Sequence, residues 1–191
     1  MLLHTPGMTE QSTGARWHGT RVRLLAGDIT QVSVDAVVNA ANSALAGGGG
    51  VDGAIHAAAG PSVIAEPRER YDGCPTGSAV ITSAGNLPAR HIVHAVGPIW
   101  QGGSHDEAAL LRGAYSTSLD LAAEAGDCSV AFAAISCGVY GYPMVEACKV
   151  AVDTCAALLI EHELPEKVIF MLFSSADVDV YTRYLKRLSL R

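Results

Sequence analysis

The sequence predicts an α/β fold with three layers, a sheet covered by helices on both faces. Three observations carry that expectation. Apolar, β-rich runs alternate with helical patterns along the chain. Of 191 residues, 49 % are hydrophobic and only 17 % charged, which supplies a large core. Glycine-rich stretches follow two of the strand-like runs, where open α/β sheets place their ligand loops.

Residues 1–18 are polar and irregular and read as a flexible tail, leaving 19–191 as a single domain. TRVRLLA (20–26) and DAVVNAA (35–41) read as strands. The segment 51–71 is helical with a break at Gly60-Pro61, since a residue preceding proline is pushed out of helical geometry. SAVITSA (78–84) and RHIVHAVG (90–97) are two more strands. DEAALLRGAYSTSLDLAAEAG (106–126) has helical spacing, opens on acids that favour the positive end of the helix dipole, and closes on glycine. SVAFAAIS (129–136) is a buried strand, VEACKVAVDTCAALLIEH (145–162) a helix, and KVIFMLF (167–173) a strand. A last helix runs from Val178 to Leu188.

Composition removes several function classes. The net charge is −6, there are only 13 Lys plus Arg, and no basic run occurs, so no nucleic-acid groove is expected. A small anion would have to be held largely by backbone amides. No apolar run reaches membrane-spanning length, and the N-terminus lacks the basic start and apolar stretch of a signal peptide. Cys74, Cys128, Cys137, Cys148 and Cys155 are scattered and odd in number, which fits a reducing cytoplasm better than a disulfide scaffold. Neither H-x-x-x-H nor C-x-x-C occurs, so no metal site is read; His91 and His94 fit a strand with satisfied or exposed imidazoles.

The chemistry-bearing stretch is NAANSALAGGGGVDGAIHAAAG (39–60). Gly48 to Gly53 formally fits G-x-G-x-x-G, but residues 42–46 intervene after the strand, no ribose-binding acid follows a second strand, and no Gly-Lys-Ser/Thr follows either. What remains is free amides opening onto a helix N-terminus, a seat for phosphate. SCGVYGYP (136–143) is a second such loop after a buried strand, and two loops facing one cleft suit a diphosphate. Asp28, at the end of the first strand, either caps a helix or accepts a hydrogen bond from an exocyclic amine.

GDIT, VDAVVNAANSALAGGGGVDGAIHAAAG and AISCGVYGYP resemble the three signature stretches of the macrodomain family, in its MacroD-type ADP-ribosyl hydrolase branch. GCPTGSAVITSAGNLPARHIVHAVGPIW is similar in order and spacing, so the resemblance runs from about Val22 to Tyr184. It implies the macrodomain fold, a three-layer α/β/α sandwich around a central mixed sheet. It also implies binding of ADP-ribose, removal of mono-ADP-ribose from acidic side chains of proteins, and deacetylation of O-acetyl-ADP-ribose, without metal or cofactor. A reader module that binds ADP-ribose without turnover is the alternative.

Residue by residue, the resemblance puts Asp28 and the Ile29 amide at adenine and Phe173 in a stack on that ring, unless Phe173 is ordinary core. Asn42 would bond the distal ribose. Gly48, Gly49, Gly50 and Val51, with Ser136, Cys137, Gly138, Val139, Tyr140 and Gly141, would cradle the phosphates, with Tyr142 beside the distal ribose. Asp52, ten residues after Asn42, would activate a water, unless it merely caps the helix. His56, one turn on, would orient Asp52 or the water, or else pack in the core. Three departures stand out: Cys137 replaces a common threonine, Gly85-Asn86 replaces Gly-Tyr, and Ser174-Ser175-Ala176 replaces acids.

Overall fold

Two-residue alternation along the strands sorts the core into two halves. The computed structural model describes residues 15–17 and 20–189. Its strands are β1 (Ala15–Trp17), β2 (Thr20–Ala26), β3 (Ala36–Ala40), β4 (Ser78–Ser83), β5 (His91–Val96), β6 (Ser129–Phe132) and β7 (Lys167–Leu172). The helices are α1 (Gly50–Ala59), α2 (Ser62–Arg70), α3 (Glu107–Glu124), α4 (Met144–Glu161) and α5 (Ser175–Ser189). One mixed sheet runs β1-β2-β7-β6-β3-β5-β4, parallel throughout its centre and antiparallel at the two outer pairs, β1–β2 and β4–β5.

Because successive side chains leave a strand on opposite faces, Val38, Val93, Phe132 and Phe170 join Leu111, Cys148 and Tyr181 in one apolar cluster. Val37, Ile92, Ala131 and Ile169 join Ile55, Ala59 and Val63 in the other. Helices α3, α4 and α5 therefore cover one face, and α1 and α2 the other. This is the expected three-layer α/β/α sandwich with a mixed sheet. On the first face Tyr115, Phe132, Phe170 and Tyr181 form a ladder of tilted rings with successive centroids 5.0, 6.0 and 5.0 Å apart. Each such buried ring contributes on the order of 1.5–3 kcal/mol of apolar transfer free energy.

Some boundaries differ from the sequence reading. Ala15–Trp17, inside the segment read as a tail, pairs antiparallel with β2; three residues carry too little alternation to announce a strand. The rest of that segment lies outside the described residues. β6 stops at Phe132, four residues early, and Ser136 has φ +66°, a left-handed turn that takes the chain out of the sheet. Helix α5 begins three residues earlier than expected, with Ser174 Oγ accepting from the Asp177 amide. The break at Gly60-Pro61 falls where the proline predicts it, between α1 and α2.

Candidate active site

The carboxyl ends of β2, β7, β6, β3 and β5 lie along one edge of the sheet, and the loops that leave them build the site, as in open α/β folds generally. After β3 and β6, two loops enclose a cavity of about 260 Å³. One wall is Asn42 and Gly48 to Asp52; the other is Ser136 and Gly138 to Tyr140, with Gly97 after β5 completing it.

The first wall is shaped by glycine. The N-cap of α1 is Gly49, so no side chain caps the helix and its leading amides remain available to an anion. Gly50 has φ +60°, which only glycine adopts without strain, and this turns the chain into α1. Asn42 pins the loop: its Nδ2 donates to Gly47 O at 2.9 Å and its Oδ1 accepts from Ala46 N at 3.2 Å.

Asp52, in the first turn of α1, is buried yet lines the cavity. Its Oδ1 accepts from Asn39 Nδ2 at 2.6 Å and lies 3.4 Å from His56 Nδ1. Oδ2 has no hydrogen-bond partner among the described residues and faces Gly48. Burial opposes the charge on this carboxylate, but the His56 contact and the Asn39 hydrogen bond outweigh it and hold the carboxyl below the usual range. Asp52 in turn holds the His56 imidazole up, against its burial.

The second wall is folded on itself: Tyr142 N donates to Ser136 O at 3.0 Å and Gly141 N to Gly138 O at 2.9 Å. Ser136 Oγ is buried without a partner among the described residues, and a side chain at Gly97 would collide with it. The neighbouring loop after β5 is tied down by buried Glu107, which accepts from the amides of Gln101 at 3.0 Å, Gly103 at 3.0 Å and His105 at 2.6 Å. Burial works against its charge, but these amides dominate and hold its pKa at about 2. That loop supports the second wall through Trp100 N, which donates to Tyr140 O at 2.9 Å.

The structure thus gathers Asn42, Gly48, Gly49, Gly50, Val51, Asp52, Ser136, Gly138, Val139 and Tyr140 around one cavity. Other candidates sit elsewhere. His56 lies buried behind Asp52. The Cys137 thiol turns to Ile135 O at 3.6 Å, and burial pushes it up to about 12. Gly141 is outside the lining, and Tyr142 is buried against Trp100 with ring centroids 4.6 Å apart, facing a different cavity between α3 and α4. At the far end of the edge, Asp28 caps a short 3-10 turn, accepting from Thr30 N at 2.9 Å and Thr30 Oγ1 at 2.8 Å. Ile29 is buried beneath it. Phe173, after β7, is 96 % exposed, which rules out the core-packing reading.

Sequence reasoning missed Asn39 and the part played by His94. Asn39 is polar at a fully buried position of β3, on the same face as Val37, and that placement was the available signal. His94 is a satisfied imidazole, as the strand reading expects, but its partners lead to Asp52.

Comparison with known proteins agrees with this architecture. The Macro domain family model matches residues 38–151. The O-acetyl-ADP-ribose deacetylase of Escherichia coli K12 is 50 % identical over 169 residues, spanning 87 % of this chain and 96 % of that protein. That of Escherichia fergusonii is 51 % identical over the same spans. Among solved structures, the Oceanobacillus iheyensis macrodomain with ADP superposes with a TM-score of 0.88 at 39 % identity, covering 94 % of this chain and 97 % of the other. The Trypanosoma brucei macrodomain in complex with ADP-ribose gives 0.80 at 37 %, covering 86 % and 68 %. With this match across more than half its length, on a sheet whose loops after β3 and β6 enclose one cleft, the chain belongs to the Macro domain family.

Proposed function

We propose that the protein binds ADP-ribose in the cleft and hydrolyses ester links on its distal ribose, deacetylating O-acetyl-ADP-ribose and removing mono-ADP-ribose from glutamate and aspartate side chains of modified proteins. The observation that carries this reading is Asp52: a carboxylate on the cavity wall whose Oδ1 is fixed and whose buried Oδ2, beside Gly48, has no hydrogen-bond partner among the described residues, in the first turn of a helix with no side-chain cap. The names of the deacetylases similar to this chain, and the ADP and ADP-ribose named with its structural neighbours, support the same ligand and reaction class.

In this reading the amides opening α1 and the Ser136–Tyr140 backbone take the diphosphate. Asn42 meets the distal ribose. Asp28 and the Ile29 amide meet adenine at the far end of the edge, and Phe173 stacks on it. Cys137 and Gly141 contribute backbone only, Tyr142 braces the loop from behind, and His56 orients Asp52.

Asp52 Oδ2 holds a water against the ester. As the water oxygen bonds to the electrophilic carbon, its proton passes toward Asp52. The ester C–O bond breaks and the departing oxygen takes the proton back from Asp52, releasing ADP-ribose and the carboxylic acid, acetic acid or the protein side chain. A carboxylate held below its ordinary pKa is a weak base for resting water. Asp52 therefore acts mainly by orienting the water and accepting a proton that becomes acidic as the bond forms, a task the ligand's own phosphate shares in this reading.

The experiment is release of labelled ADP-ribose from a glutamate-modified protein by the wild-type chain, beside calorimetric binding of ADP-ribose. Release with binding is the expected result. Binding with no release, from this substrate or from O-acetyl-ADP-ribose, would make the protein a reader.

A further inference from the structure

Behind Asp52 lies a line of buried polar side chains that the reaction as described does not use. Asn39 on β3 is 0 % exposed and His94 on β5 is 1 % exposed; the two are paired in register across the parallel strands. Asn39 Nδ2 is 2.6 Å from Asp52 Oδ1 and 3.3 Å from His94 Nδ1. His94 Nε2 is 2.9 Å from Thr82 Oγ1, and the Thr82 hydroxyl donates to Ser83 O at 3.1 Å.

The donors and acceptors assign the protons. An amide nitrogen only donates, so His94 Nδ1 accepts, Nε2 carries the ring hydrogen, and that hydrogen goes to Thr82. The reverse orientation of the Asn39 amide would set its oxygen against a carboxylate oxygen. Both hydrogens of Asn39 Nδ2 are thereby committed, one to His94 and one to Asp52. This arrangement costs stability: Asn39 Oδ1 is buried with no partner among the described residues, a defect typically worth about 1–3 kcal/mol. Apolar residues at these positions would avoid that cost, and local rules are broken in this way chiefly where function requires it.

We propose that Asn39 and His94 are positioning residues for Asp52: His94, anchored on Thr82, sets the plane of the Asn39 amide, which fixes Oδ1 and leaves Oδ2, beside Gly48, as the oxygen without a hydrogen-bond partner among the described residues. This rests on the reading that Asp52 meets the reacting water. The ionisable groups acting on His94 are Asp52, His56 and Glu66, the His56 ring lying nearly parallel to it with centroids 6.0 Å apart. Burial first, then the His56 charge, keep His94 neutral near neutral pH, as an acceptor at Nδ1 requires.

The test compares wild type, Asn39→Ala, His94→Leu and Asp52→Ala on O-acetyl-ADP-ribose. It measures kcat against pH, the calorimetric affinity for ADP-ribose, and thermal stability. Asn39→Ala is expected to keep affinity within a few-fold and to lose kcat by about tenfold or more, in the range seen when a buried orienting partner is removed. Its acid limb should also move to higher pH, because the hydrogen bond it removes favours the charged carboxylate. His94→Leu should move the limb in the same direction, and it carries the test alone if Asn39→Ala does not fold. A limb that stays in place in the folded variants overturns the proposal, since a merely structural role lowers stability without moving it. Full activity in Asp52→Ala would instead overturn the catalytic reading on which the proposal rests.

Discussion

A methyl group on Gly48 would stand 3.2 Å from Asp52 Oδ2, the oxygen of that carboxylate with no hydrogen-bond partner among the described residues. Gly48 is not held in the left-handed region, so alanine there meets no backbone penalty and the space itself is tested. Gly48→Ala should lower kcat by about tenfold or more while leaving the melting temperature and ADP-ribose affinity nearly unchanged, because the methyl covers the oxygen that holds the water. Unchanged kcat would show that Oδ2 is not the working atom.

Phe173 offers a ring to solvent at the end of β7, with Asp28 across the neighbouring strand end. A ring 96 % exposed contributes almost nothing to the fold, so Phe173→Ala should leave the unfolding curve in place. Stacking is worth roughly 0.5–1.5 kcal/mol beyond area burial, so affinity for ADP-ribose should fall about tenfold. Ribose 5-phosphate, which lacks adenine, should bind both forms equally. Loss of affinity for both ligands would point to damage elsewhere.

The two histidines beside Asp52 give stability opposite dependences on pH. His94 is brought down from 6.5 to about 4 by burial and by the charge of His56. Between those values the unfolded chain takes up a proton that the folded state refuses, so this group makes stability rise with pH. The cost reaches about 3 kcal/mol at the acid end of the window. His56, raised by Asp52, contributes stability that is present below 6.5 and lost as pH rises through its folded value. In urea unfolding, the stability of His94→Leu relative to wild type should therefore improve as pH falls from 6.5 to 4. A difference independent of pH would mean that His94 titrates normally.

Glu107 holds the loop that buttresses the second wall. Its carboxyl is brought down from 4.5 to about 2, so its stabilisation is complete above 4.5 and lost as pH falls toward 2. Glu107→Gln should lower the melting temperature at neutral pH by a few degrees, with the gap closing in acid. Because Trp100 N donates to Tyr140 O from this loop, ADP-ribose affinity should weaken several-fold while kcat holds. A loss of kcat at unchanged affinity would contradict this division of roles.

Strand after strand was legible in the sequence because each carries its own apolar period, and Pro61 marked the break between α1 and α2. The glycine loop and Asp52 were legible because Asn42, the glycines and the acid lie within one short stretch. Asn39 and His94 were not, since they meet only through the β3–β5 register, which no local pattern encodes. The resemblance puts Tyr142 beside the distal ribose, whereas the turn between Ser136 and Tyr142 sets its ring against Trp100. Cys137, which stands where the resembled branch commonly has threonine, is a buried thiol pushed up to about 12, too high for ready reaction.

In the proposed reaction Asp52 serves the chemistry and not merely the fold. Turnover of O-acetyl-ADP-ribose by Asp52→Asn, with calorimetric binding of ADP-ribose beside it, tests it most directly. The amide keeps the shape and can still accept from Asn39, but it cannot take up a proton as the water adds. The expected result is a kcat lowered by at least about 10²-fold with affinity held within a few-fold. Turnover at the wild-type rate in that variant would contradict the account.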